Sequence, residues 1–285
     1  MVKKFKEFSA IPGFSLTLGI SLMYLCLLVF LPLAALTIKA SEIGIDGFIQ
    51  EVLDARVLTS FKLTFGCSLL AAIINTIFGT IVAWFLVRIR IPLLIKKFLD
   101  SIIDLPLALP TAVSGMALTT LYTESGWIGK FLKDTFNMKV AFTPLGIVVA
   151  MIFIGIPFVV RTVGPVLSSI EDELEEAALS LGANRWQIFI KIIAPTIFPS
   201  VITGFTLAFA RALGEYGTVI FIAGNMPMKT EIAALLIYTK LEQFNFVSAT
   251  AIAMTMLLFS FILLLIINLF QSWVSKRAMG TQGDS

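Results

Sequence analysis

Polar and apolar positions scarcely alternate along most of this chain. Charged residues instead border long uncharged runs at 8–38, 63–87, 105–123, 140–160, 192–210 and 243–275, the shortest 19 and the longest 33 residues. A hydrocarbon core about 30 Å thick needs about 20 helical residues to cross it. The pattern therefore predicts an all-α integral membrane protein with six transmembrane helices and both termini on one side. The first run follows Lys3, Lys4 and Lys6, as a signal peptide would. It far exceeds an apolar signal core of about 7–15 residues, and an uncleaved first helix is expected. The third run carries Pro106 and Pro110 near its start. Proline removes a backbone donor and bends a helix, but it is also welcome in a first turn. A kinked span and a simple helix entry both remain open.

One segment, 168–195, breaks the apolar pattern. Five acids fall at Glu171, Asp172, Glu173, Glu175 and Glu176, and Leu174, Ala177, Ala178 and Leu181 form a stripe at helical spacing. Ser168 with Glu171, and Ser169 with Asp172, fit capping boxes. Gly182 is placed to stop the helix in a left-handed conformation, and a second short helix begins near Asn184. Amphipathic helices that lie on membranes favour Lys and Arg on their polar face. This one carries acids, so a protein partner explains it better.

Composition sharpens the class. Of 285 residues 58% are hydrophobic and 14% charged, with no histidine and a formal charge of +3. That charge is too small to argue for nucleic acid. The absence of histidine removes the commonest catalytic base and metal ligand, and Cys26 and Cys67 lie inside apolar runs, as buried thiols do. Lys and Arg outside the spans divide twelve to eight in favour of the side holding the termini. That side is expected to be cytoplasmic.

The segment Glu176-Ala-Ala, Gly182 and Ile192-Ile-Ala-Pro195 resembles the EAA loop of bacterial ATP-binding-cassette (ABC) importer permeases, with Ala194 where the family usually has leucine. Four further stretches begin at Asp104, Pro157, Ala208 and Phe221, and Lys240-Leu-Glu-Gln-Phe follows them. Together they are similar to the oxyanion importers, nearest the sulfate/thiosulfate permeases. The resemblance implies a type I permease fold and a cytoplasmic coupling helix docked on a separate ATPase. Glu176, Ala177, Ala178, Gly182, Ala183 and Pro195 would do the coupling. It also implies a related second permease (a CysW-like chain), a dimeric ATPase that binds MgATP, a solute-binding protein outside, and no cofactor on this chain. The implied location is the bacterial cytoplasmic membrane. The expected organisation is a tail, first helix and outer loop at 1–58, a permease core at 59–275 containing the loop 168–195, and a cytoplasmic tail at 276–285.

Arg211 and Glu215 are expected within the fifth span, four residues apart and able to pair. Buried intramembrane charge is expensive and marks pathways by default, though a purely structural pair fits as well. Gly214 and Gly217 beside them would loosen a hinge or allow close packing. With Pro106 and Pro110 these residues are the candidate pathway or gate. The outer stretch Thr230–Ile237 is expected to form a short re-entrant or surface helix.

Other classes fit less well. An intramembrane enzyme lacks catalytic groups, and a self-contained pump lacks a phosphate loop. The nearest string, Gly126-Trp-Ile-Gly129-Lys130-Phe131, has neither the first glycine nor the hydroxyl residue. A secondary anion transporter would show two-half symmetry, and none is visible. A molybdate or tungstate permease acting as a homodimer is the nearest alternative.

Overall fold

The structure, a computed structural model, describes residues 14–89 and 91–280. Lys3, Lys4, Lys6, Arg90 and the last five tail positions lie outside the described residues, as do the side chains of Lys276 and Arg277. The elements are α1 (Phe14–Ser41), α2 (Gly44–Leu53), α3 (Ala55–Arg88), α4 (Leu93–Ala108), α5 (Thr111–Tyr122), α6 (Trp127–Phe136) and α7 (Pro144–Ser168). They continue with α8 (Asp172–Ser180), α9 (Arg185–Ile188), a π-helical turn (Phe189–Ile193), α10 (Ala194–Leu213), α11 (Gly217–Ala223), α12 (Ala233–Glu242) and α13 (Phe246–Gly280). Helices α1, α3, α7, α13 and the continuous α9–α10 segment are each long and apolar enough to cross a bilayer. Helices α4 and α5 pass the same test together, as one span bent by 110°.

Helix α7 is the central post. Its apolar window is 61% buried, whereas that of α1 is wholly uncovered. Lipid tails are as apolar as leucine, so helices in a bilayer associate by close packing, and small residues permit it. Here Val159 of α7 sits between two glycines. A Cβ on Gly79 of α3 would lie 2.8 Å from the Val159 Cβ, and one on Gly204 of α10 3.0 Å from its Cα. One half of the core gathers Ala83, Val160, Val163, Leu167, Ile188 and Ile197 around this contact. The other half joins Ile147 and Met151 of α7 to Val219, Ile222, Ile232 and Leu235 of α11 and α12.

Several expectations are corrected. The third span is a broken helix, because Leu109 and Pro110 are extended, with ψ of 138° and 133°. Pro110 caps α5, and Pro106 is buried inside α4. Helix α3 starts at Ala55, because the Asp54 carboxylate accepts the Arg56 and Val57 amides at 2.8 and 3.4 Å. Helix α13 runs to Gly280. Neither serine capping box forms. The hydroxyls of Ser168 and Ser169 donate instead to the Pro165 and Val166 carbonyls, closing the end of α7 rather than opening α8. The outer stretch after Thr230 becomes α12, anchored where the Ala233 amide donates to Thr64 Oγ1 at 2.8 Å. The Arg56 guanidinium also grips the buried Glu231 through two bonds of 2.6 and 2.7 Å.

A close backbone approach joins α5 and α11. A Cβ on Gly115 would lie 2.6 Å from the Thr218 carbonyl oxygen and 3.0 Å from its Cα. Backbone cannot move aside as a side-chain tip can. Gly115→Ala should therefore cost about 1–3 kcal/mol, the usual price of overpacking. Gly164→Ala meets nothing within 4 Å and should be neutral or gain about 0.5–1 kcal/mol. Thermal unfolding of the purified protein checks both; equal melting temperatures for the two variants would contradict the packing.

Candidate functional site

The loop after α7 is built as a rigid elbow. Helix α8 begins at Asp172 with Asp172, Glu173 and Glu175 in its first turn, where the dipole favours acids. It ends in a Schellman motif: the Gly182 amide donates to the Leu179 carbonyl at 2.9 Å and the Ala183 amide to Ala178 at 3.0 Å. Gly182 has φ +84°, a value that penalises any Cβ. Asn184 and Gln187 then form a reciprocal capping box at 2.8 and 2.9 Å that launches α9. Before Pro195 the chain widens into the π turn, with the Ala194 amide bonded to the Phe189 carbonyl five residues back. The wider turn makes room where a proline ring would press on the preceding turn.

A contact unforeseen from the sequence ties this elbow to the bundle. Arg88, in the last turn of α3, reaches Glu175 at 2.7 Å and Asp172 at 3.3 Å and lies over the Trp84 ring at 5.8 Å. Glu175 is half-buried and Asp172 exposed, so the Glu175 ion pair, though it lacks hydrogen-bond geometry, carries more of the attraction. Phe189 packs edge-on to Trp84 and stacks on Trp186. Ala178 and Ala183 lean on the core, while Glu176, Ala177 and Pro195 are exposed. Leu174, Leu179, Leu181 and Trp186 are uncovered too, Leu181 at 88%.

The second site lies at the break in the third span. Arg211 occupies the last turn of α10, and Glu215 lies just beyond that helix, not within it. Their side chains pair at 2.7 Å, with Glu215 buried and Arg211 about one-third exposed. The other Glu215 oxygen accepts the Thr218 amide at 2.8 Å, at the start of α11. The Thr218 hydroxyl donates to the Thr111 carbonyl at 3.2 Å, at the start of α5. A Cβ on Gly217 would strike Thr111 Oγ1 at 2.2 Å, whereas one on Gly214 meets nothing within 4 Å. Of the two glycines only Gly217 is demanded by packing. Two helix starts, α5 and α11, thus converge beside one partly exposed guanidinium. Glu215 caps α11, while α5 has no side-chain cap. A helix start without a capping carboxylate is the kind of end that anions favour.

A further group went unnoticed in the sequence because its members are far apart in it. Arg161 of α7 reaches Asp104 at 2.9 Å and Asp100 at 3.4 Å. With Leu99 and Ile103 it attaches the otherwise largely exposed α4 to the bundle.

Known proteins resemble this chain along most of its length. Residues 75–279 match the family model described as binding-protein-dependent transport system inner membrane component. The sulfate transport system permease protein CysT of Synechocystis is 45% identical over 276 residues, 97% of this chain and 96% of its own length. That of Escherichia coli K12 is 44% identical, covering 95% and 96%. Among solved structures, a chain of a bacterial alginate ABC transporter aligns with TM-score 0.71 at 20% identity, covering 93% of this chain and 95% of that one. A chain of the inward-facing MetNI methionine transporter aligns with TM-score 0.57 at 15% identity, covering 78% and 96%.

The junction predicts a graded mutational response. Arg211→Ala leaves the buried Glu215 without its cation and should cost about 3–5 kcal/mol. Adding Glu215→Gln should restore most of that loss, because the amide oxygen can still accept the Thr218 N–H. Adding Glu215→Ala should restore less, since that amide loses its partner. Melting temperatures of the single and both double variants check the order; equal recovery by Gln and Ala would remove Glu215 as the α11 cap.

Proposed function

The chain belongs to the binding-protein-dependent transport system inner membrane component family, and we propose that it is the permease subunit through which an ATP-driven importer takes up sulfate, with thiosulfate as a second substrate. The observation that carries this reading is the relatedness to sulfate permeases along nearly the whole chain. The type I permease fold, with its protruding α8, supports it.

The membrane is the cytoplasmic membrane, and both termini and α8 face the cytoplasm. A second, related permease of the CysW type completes the pathway, and a solute-binding protein delivers the anion outside. A dimeric ATPase binds MgATP; this chain holds no cofactor and hydrolyses nothing. The exposed α8, with Glu176, Ala177 and Ala178, docks on the ATPase. Gly182, Ala183 and Pro195 fix the angle between α8 and the α9–α10 segment. When the ATPase dimer closes, a push on α8 passes through Arg88 to α3 and through the π turn to α10. Those helices flank α7, so the whole post moves.

Arg211, the α5 start behind Pro110, and the backbone around Gly217 form the anion's station within the membrane. Glu215 keeps Arg211 from binding the dianion too tightly. Gly214 gives the α10–α11 joint its freedom, and Pro106 stiffens the approach to the break.

Two measurements test this. Reconstituted with its second permease, ATPase and binding protein, the chain should support ATP-dependent uptake of labelled sulfate, competed by thiosulfate and weakly by molybdate. Uptake that follows molybdate and ignores sulfate would move the chain to the alternative oxyanion class. For coupling, Gly182→Asp should abolish uptake while leaving the amount of membrane-inserted protein unchanged. Its direct conformational cost, about 1 kcal/mol, is too small to unfold six spans. Gly182→Asn, better suited to positive φ, should retain more activity. Lowered sulfate affinity with normal sulfate-stimulated ATPase activity in Gly182→Asp would place the residue in the pathway instead.

A further inference from the structure

A cavity of about 550 Å³ opens between α3 and the α9–α10 segment, lined by Thr80, Ile81, Trp84, Arg185, Trp186, Phe189 and Ile197. Its position is set by two aromatic contacts, Trp84 to Phe189 at 5.6 Å between ring centres and Phe189 to Trp186 at 5.7 Å. Three features show what it takes. First, Arg185 at its mouth is exposed and makes no ion pair among the described residues. Second, Thr80 Oγ1 is buried in the wall without a hydrogen-bond partner. Third, Ile81 continues along α3 into Ile77 and Ile73, all exposed and spaced four residues apart on one helix face.

We propose that this cavity binds one anionic phospholipid, its phosphate on Arg185 and one acyl chain along Trp84, Ile81, Ile77 and Ile73. Thr80 belongs to the wall beside Ile81 and Trp84. The inference rests on the membrane orientation given above but not on sulfate as the substrate. In that orientation Arg185 stands at the cytoplasmic surface, where anionic lipids concentrate around basic residues. Tryptophan suits the same depth, with an apolar ring and a polar edge. Charge argues for lipid over the ATPase as occupant. A docking groove suited to the five acids of α8 is basic, and a basic surface is repelled by Arg185. The acids stand apart from the site: Arg88 offsets one unit of their charge, at Glu175 and Asp172, and Arg185 lies beyond the Gly182 turn on a different helix. A lipid held here packs against Trp186 and Phe189, which belong to the elbow itself, so lipid composition acts on the element that transmits force.

The test uses the full chain in phosphatidylcholine nanodiscs, with Trp127 and Trp273 replaced by phenylalanine so that Trp84 and Trp186 report. Brominated phosphatidylglycerol at low mole fraction should quench their fluorescence about fivefold more than brominated phosphatidylcholine, the preference one basic residue confers near such a surface. Arg185→Gln should erase the preference and Arg185→Lys should keep most of it. Equal quenching by the two lipids, or a preference untouched by Arg185→Gln, would overturn the proposal. So would absence of quenching by either lipid, which would mean that protein covers the cavity. Relief of quenching by millimolar soluble glycerol phosphate would likewise overturn it, since the headgroup alone would then suffice.

Discussion

In hydrocarbon a backbone amide without a partner costs several kcal/mol, and this constraint governs the arrangement around the broken span. Interrupting the helix at Leu109 and Pro110 creates a new helix start in the middle of a span. A second start, at Gly217, faces it. The two cannot share their donors, because each consists of amides. Glu215 resolves half the problem by accepting from Thr218, and its charge is in turn met by Arg211. Gly115 and Gly217 let the two segments approach until the Thr218 hydroxyl reaches the Thr111 carbonyl. The junction is thus one linked set: removing Arg211 strands Glu215, and removing Glu215 strands the start of α11.

That set communicates with the opposite end through packed helices rather than through loops. Helix α7 spans the distance, and Val159 wedges against glycines of both α3 and α10. Protein interiors of this density do not deform smoothly. A displacement of α10 relative to α3 therefore has to carry Val159 and α7 with it. Arg88 makes the same point at the loop. Because it belongs to α3 and grips α8, a force on the exposed helix reaches two walls of the bundle at once, through the ion pair and through the π turn.

How much of this was readable beforehand depends on the range of the interaction. Six uncharged runs announced the spans, since nothing but length and hydropathy decides them. Gly182 and the start of α9 at Asn184 were legible because their chemistry is local: a positive φ and a box three residues wide. The serine boxes failed for the same reason of locality. Ser168 and Ser169 had two equally near choices, and the carbonyls of α7 were already in place. Gly214 and Gly217 looked alike in sequence, and only the neighbouring Thr111, more than a hundred positions away, separates them. The Arg88 and Arg161 clamps join partners 84 to 87 and 57 to 61 residues distant. No pattern along the chain encodes such pairs. The two prolines mark the spot, but the break at Leu109 and Pro110 also depends on α11, whose Gly217 and Thr218 pack against Thr111 from more than a hundred positions away.

A conducting site must bind its ion well enough to admit it and weakly enough to release it. A lone buried arginine fails the second requirement for a dianion, because in low dielectric their attraction is many kcal/mol. In the proposed pathway two features weaken that attraction without abolishing it. Glu215, buried and bonded to Arg211, subtracts a full negative charge from the field the anion feels. The α5 start contributes only about half a positive charge, and that fraction is spread over several amides. The sum is a site slightly positive over a short distance, built mostly from dipoles fixed in place. Such dipoles need no reorganisation when the anion arrives, and they hold no net charge that must be repaid when it leaves. Nothing crowds Gly214, and in the same proposal a rotation there turns Arg211 away from the α5 start. Release in this proposal follows from geometry, which suits a chain without histidine.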